Sequence, residues 1–248
     1  MYDDSGQDFD FDGSLRAQQP PLKNTILLSV PSQELALLRP HLQPFPLKPR
    51  AILHEPSQHL SFFTFPNSGL ISLLVATEDG KTVEAGMLGN EGFAGVPSIV
   101  GFSRCPLRQV VQIGGTAFRI KVHSLHRLLP SAPRLHTALL RYAILQSIQL
   151  AQIAACNRLH DAIQRLSRWL LMAASRSGPT IPMTHEFFAA TLGTDRPSIS
   201  LAAKTLQRKK IIAYKRGVVT ILNPKKLSSL ACECHRAIEQ FPDGLHPK

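Results

Sequence analysis

Between residues 181 and 222 stand side chains suited to gripping a polyanion: Thr184, Thr194, Arg196, Ser198, Ser200, Lys204, Lys215 and Arg216. Hydroxyls and cations so grouped donate hydrogen bonds to phosphate oxygens, and a guanidinium can bond both acceptors on a guanine edge. Arg196 is the candidate for direct base reading. Ser198 and Ser200 can reach bases or phosphates, while Lys204, Lys215 and Arg216 suit phosphates and give register without sequence information. A solvated charged face would explain any one of these lysines. It does not explain the ordered set.

Bond-breaking chemistry is poorly supplied. There is no Walker loop, GxSxG, HExxH or GxGxxG, and no carboxylate pair is spaced for acid–base work, so no enzyme is expected. Cys232-Glu233-Cys234-His235 attracts notice, but a zinc site needs paired knuckles or ligands from elsewhere, and no second Cys/His cluster stands out along the chain. The expectation is the end of a small C-terminal helix, with no metal. The four cysteines lack the spacing of a secreted scaffold, which predicts a reduced, cytoplasmic setting.

Charge supports the polyanion reading. The net charge is +11 and the pI about 9.9. From residue 158 onward, fifteen Lys and Arg face six Asp and Glu, so the excess belongs largely to the last third. The N-terminal residues are acidic with no apolar run, which predicts no signal peptide. The uncharged stretch Tyr142 to Asn157 contains several glutamines and is too short to span a bilayer, so no membrane partner is expected.

The elements that must position the basic set follow from periodicity. Residues 1–23 predict a disordered acidic tail, and Ser32 with Glu34 a short capped helix. Within residues 24–132, short apolar runs separated by turn signals predict an all-β antiparallel domain, with Asp79-Gly80 as its clearest hairpin. Residues 133–157 predict a long helix, apolar on every side, whose outer face needs a second surface. Leu139, Tyr142, Gln146, Gln149, Ile153 and Cys156 have the spacing of a homodimer seam. From Asn157 the helix turns amphipathic, with Leu159, Ile163, Leu166, Leu170 and Leu171 expected inside and Arg158, Arg165 and Arg168 outside. Within residues 158–228, Thr184 caps a helix burying Phe187, Phe188 and Leu192. Gly193 then turns the chain, Thr194 or Asp195 caps a second helix, and two β-branched runs flank Lys215-Arg216-Gly217. That order predicts a winged helix-turn-helix, followed by a tail at 229–248.

On these motifs the chain resembles CRP/FNR transcription regulators. The stretch LGTDRPSISLAAKTLQRKKII parallels their helix-turn-helix, with Arg196 on the first recognition-helix arginine, Ser198 on its Ser/Thr and Lys204 on a DNA-contact position. The family's glutamate is Pro197 here and its second arginine Leu201, which implies a different operator. The resemblance covers about residues 24–228. It implies an α+β fold, with an antiparallel β-roll like a cyclic-nucleotide-binding domain, a long dimerisation helix and a C-terminal winged helix-turn-helix. The implied partners are double-stranded DNA, a second copy as homodimer, RNA polymerase and an unknown small-molecule effector. Cyclic-nucleotide sensors hold ribose and phosphate with a Gly-Glu pair and an arginine. Here Phe93-Ala94-Gly95 lacks the carboxylate, Gln112 takes the arginine's place, and Arg108 lies four residues off, so no cAMP is expected. No cysteine precedes Cys105 for an iron–sulfur cluster, and the isolated His54, His59 and His123 do not make a haem site. The competing reading is a ligand- or partner-binding β-roll module whose helix-turn-helix mediates protein contacts.

Overall fold

The computed structural model describes residues 20–56 and 58–239. Most of the tail expected at 1–23 therefore lies outside the described residues. Within the rest, α1 (Thr25–Ser29) is capped by Asn24, whose buried side chain also donates to the carbonyls of Pro66 and Gly92. Ser32 opens α2 (Ser32–Leu38) without capping it, since Pro31 holds the cap position and no side-chain bond is made there.

Seven strands build the first domain: β1 (Gln43–Leu47), β2 (Ile52–His54), β3 (Phe62–Pro66), β4 (Leu70–Ala76), β5 (Thr82–Leu88), β6 (Arg108–Ile113) and β7 (Gly115–Lys121). They form two antiparallel sheets, ordered β1-β7-β3 and β2-β6-β4-β5. Phe63, Phe65, Leu73, Phe93 and Val111 are buried together in the core of this domain. Strand β1 has no clear signal in the sequence because Pro44 and Pro46 cannot donate to a ladder; it lies at a sheet edge, where that loss is tolerated. The β4–β5 hairpin turns through Asp79-Gly80, with Gly80 at φ 79°.

Helix α3 (Val122–Leu128) leads to α4 (Pro133–Leu159). The buried Glu34 carboxylate accepts from the backbone N–H groups of Arg134 (3.1 Å) and Leu135 (2.9 Å), satisfying two orphan donors at the start of α4. Leu139, Tyr142, Gln146, Ile153 and Cys156, expected at a dimer seam, are buried within this chain. Gln149 accepts from the Met87 N–H of β5 at 2.9 Å. That face is consumed within the chain, by the β-domain around Leu139 and Tyr142 and by the C-terminal part around Ile153 and Cys156. The outward stripe is Ile144, Ile148, Ala151, Ala155 and Leu159, of which Ile144 is 63% and Leu159 73% exposed.

The helix also stops later than residue 157. It breaks at His160, and α5 (Ala162–Ser177) begins with a capping box between Asp161 and Gln164. Along α5 the expected sides are partly exchanged. Leu166 and Leu170 are buried as expected, but Leu159 is exposed, and Arg165 and Arg168 are buried beside Trp169.

The C-terminal part holds β8 (Thr180–Pro182), α6 (His185–Thr191), α7 (Arg196–Arg208), β9 (Ile212–Lys215), β10 (Val218–Ile221), α8 (Pro224–Leu230) and α9 (Cys234–Glu239). The strands form a small antiparallel sheet, β8-β10-β9. Residues 229–239 are no tail: they end α8 and form α9, which packs on α4 and α5, while 240–248 lie outside the described residues. The Cys-Glu-Cys-His run starts a helix where the sequence suggested the end of one. Leu70 and Met87 of the β-domain join the core of this part. The seam is tied by Trp169 Nε1 donating to the buried Glu84 carboxylate (2.7 Å) and by an Arg176–Glu91 ion pair (2.6 Å).

Candidate nucleic-acid interface

Helix α7 owes its placement to a two-sided sequence pattern. Ile199, Ala202, Ala203 and Leu206 recur at three- and four-residue spacing and are fully buried against α5 and α6. The opposite side faces solvent. Its N-terminus is held by Asp195, whose carboxylate accepts from the Ser198 backbone N–H (2.8 Å) and hydroxyl (2.7 Å). These bonds keep the Asp195 carboxyl below its ordinary pKa. The cap is therefore Asp195, with Thr194 half-buried in the turn before it. That turn pivots on Gly193 at φ 56°, and a Cβ there would press on Val83 of β5 at 2.9 Å.

Thr184 caps α6, accepting from the Phe187 N–H at 3.2 Å. The β9–β10 hairpin reverses through Arg216 and Gly217, both at positive φ (51° and 75°), the backbone of a tight two-residue turn. Met183 N–H bonds the Gly217 carbonyl at 2.6 Å, so the hairpin tip docks beside the start of α6. Thr184, Lys215 and Arg216, far apart in sequence, thus share one exposed surface. Arg196 and Lys204 are exposed on α7, and Ser198 and Ser200 are half-buried. Ser198 spends its hydroxyl proton on Asp195, so toward a ligand it can only accept.

Sequence reasoning set Leu201 where the family has its second arginine, but gave neither it nor Arg208 a contact on this face. Counting 100° per residue from the buried stripe, Leu201 and Arg208 point directly away from it. Leu201 is 68% exposed, an apolar side chain at the centre of a polar surface. A helical wheel of α7 would have revealed both.

The β-domain holds a cleft of about 230 Å³ between its strands and α4, touched by Leu73, Val96, Leu107, Gln109, Gln146 and Leu150 among others. Among the described residues no charged side chain lines it. Arg108 is paired with Glu55 at 2.8 Å, and Gln112 is buried. The His54 ring bonds the Cys105 carbonyl at 3.2 Å, and His59 and His123 are exposed. No helix among the described residues is long and apolar enough to cross a membrane.

Residues 164–230 match the Crp-like helix-turn-helix domain. No curated protein matches the chain. Among solved structures, FixK2 from Bradyrhizobium japonicum is similar at TM-score 0.66 and 13% identity, over 77% of this chain and 98% of that one. A regulator assigned to the crp/fnr family from Eubacterium rectale is similar at TM-score 0.65 and 16% identity, over 83% and 96%. The c-di-GMP-responsive global regulator CLP of Xanthomonas campestris follows at 0.63 and 16%, over 77% and 99%.

Proposed function

We propose that this chain, which carries a Crp-like helix-turn-helix domain within the fold of the CRP/FNR transcription regulators, binds DNA in a sequence-specific manner as a homodimer and regulates transcription. The observation that carries the reading is the exposed face of α7, with Arg196 at its first turn and Leu201 and Lys204 beyond, set beside a basic hairpin tip. A helix so mounted enters the major groove with its N-terminal residues on base edges. Arg196 bonds a guanine, Leu201 packs on a thymine methyl in place of the family's second arginine, and Lys215 and Arg216 hold phosphates.

Dimerisation uses the outward stripe of α4, Ile144, Ile148, Ala151, Ala155 and Leu159, which repeats at heptad-like spacing. Two copies related by a two-fold axis then meet half-sites about one helical turn apart. The β-domain cleft takes an uncharged or weakly polar effector and not a cyclic nucleotide. The support is its uncharged lining and the engagement of Arg108 by Glu55, which leave a phosphate without a cation.

Selection from random duplexes with the purified full-length chain tests this. The expected product is an enriched palindrome, lost with Arg196→Ala. Equal retention of all sequences, varying only with salt, would leave charge alone as the basis of binding and refute specific readout.

A further inference from the structure

The fold gathers four ligand-type side chains at the joint between the two parts of the molecule. Cys156 lies in the last turn of α4, and His160 follows four residues later at its C-cap. Cys232 precedes α9 and Cys234 opens it, 76 residues further on for the Cys156–Cys232 pair. We infer that Cys156, His160, Cys232 and Cys234 form a tetrahedral site for a single thiophilic divalent cation, zinc, that clamps the end of α4 and the start of α5 to the C-terminal helices. The site needs no DNA to form.

Its geometry is that of one ion. Cys156 Sγ lies 3.5 Å from Cys232 Sγ, and Cys234 Sγ lies 3.6 Å from His160 Nδ1. All four ligand atoms fall within 4.8 Å of one another. With Zn–S near 2.3 Å and Zn–N near 2.0–2.1 Å, tetrahedral edges are about 3.8 Å between sulfurs and about 3.5 Å from sulfur to nitrogen. An iron–sulfur cluster would place its ligands on separate irons, farther apart than this. A Cys156–Cys232 disulfide would use two of the four groups and leave Cys234 and His160 without a role.

The surroundings suit a bound cation. The three cysteines are buried and none is in a disulfide. His160 Nε2 lies 3.2 Å from the Glu233 carboxylate, which fixes the ring and turns Nδ1 toward the sulfurs, as ligating histidines require. Gln152 donates an N–H to Cys234 Sγ at 3.0 Å. Arg168, 1% exposed and with no hydrogen-bond partner on Nε, lies against Cys156. Three thiolates, a neutral imidazole and a divalent ion carry net −1, a counter-charge for this buried guanidinium, which also feels Glu84. Sulfur-rich tetrahedral ligation favours zinc over iron or manganese, and four protein ligands leave no open position, so the ion's part is structural.

The test is metal content of the full-length chain, produced with added zinc, purified under reducing conditions and desalted. The expected result is one zinc per chain. Replacement by cobalt should give thiolate-to-metal charge-transfer and tetrahedral d–d absorption. Cys234→Ser and His160→Ala should abolish both, Glu233→Gln should weaken zinc by about tenfold or more, and Cys105→Ser should change nothing. Substoichiometric zinc in the wild type with no cobalt bands overturns the inference, as does a Cys156–Cys232 disulfide in metal-free protein. Bands that persist in Cys234→Ser do the same. The cobalt spectrum of the wild type decides the matter even if a variant fails to fold. Because no DNA is present, failure here is distinct from failure of specific DNA binding.

Discussion

Arg196 and Arg216 are both exposed arginines near the same face, yet the backbone gives them different work. Arg196 is the first residue of α7, the helix end that approaches base edges in the proposed complex; Arg216 sits in a hairpin turn with positive φ. Arg196→Ala should therefore cost about 1–3 kcal/mol on the selected site, concentrated at one base position. Arg216→Ala should weaken binding to all duplexes alike and reduce the salt slope by about one. Competition titrations at several salt concentrations separate them, and identical losses in the two variants would remove the distinction. Asp195 belongs to stability. Its carboxylate caps α7 through Ser198, so Asp195→Ala should lower the denaturation midpoint in denaturant titration, an effect absent if the cap is dispensable.

At the scale of elements, the seam between the β-domain and α5 rests on a buried acid. Glu84 is desolvated, which raises its pKa to about 7 in spite of bonds from Ser72 and Trp169 and the nearby Arg168 and Arg176. The folded chain therefore holds this proton more tightly than the unfolded chain does. The sign follows: stability is greatest below the ordinary value of 4.5 and declines as pH rises toward about 7. This group alone contributes a decline of roughly 3 kcal/mol over that window. Glu84→Gln cannot ionise and should flatten that part of the profile. Denaturation midpoints at pH 5 and pH 7.5 for both proteins provide the check. Parallel profiles for wild type and variant would mean that Glu84 titrates normally.

For the whole molecule, the two faces of α4 differ. The inner one is covered by the β-domain and, at its C-terminal end, by α9; the outer one, the proposed dimer contact, carries Ile144 at 63% exposure. Ile144→Arg combined with Ala151→Arg should leave the subunit folded, because both side chains face outward, while converting dimer to monomer in sedimentation. Affinity for a palindromic site should then fall on the order of 10²-fold, since the second half-site is no longer tethered. A dimer that survives both charges would place the interface elsewhere.

What could be read from the sequence is what is written within about one turn of chain. The Gly193 turn, the Asp195 and Thr184 caps, the Asp79-Gly80 hairpin and the three- and four-residue recurrence of Ile199, Ala203 and Leu206 each depend on neighbours a few residues away. Strand β1, Arg168 and the seam were not legible in that way. Prolines hid the strand. Periodicity shows that a face is apolar but not whether its own domain or a second copy covers it, and burial of Arg168 depends on groups distant in sequence. The same holds for Cys156 and His160 beside Cys232 and Cys234: only the packing of α9 on α4 gives two separate pairs a common centre.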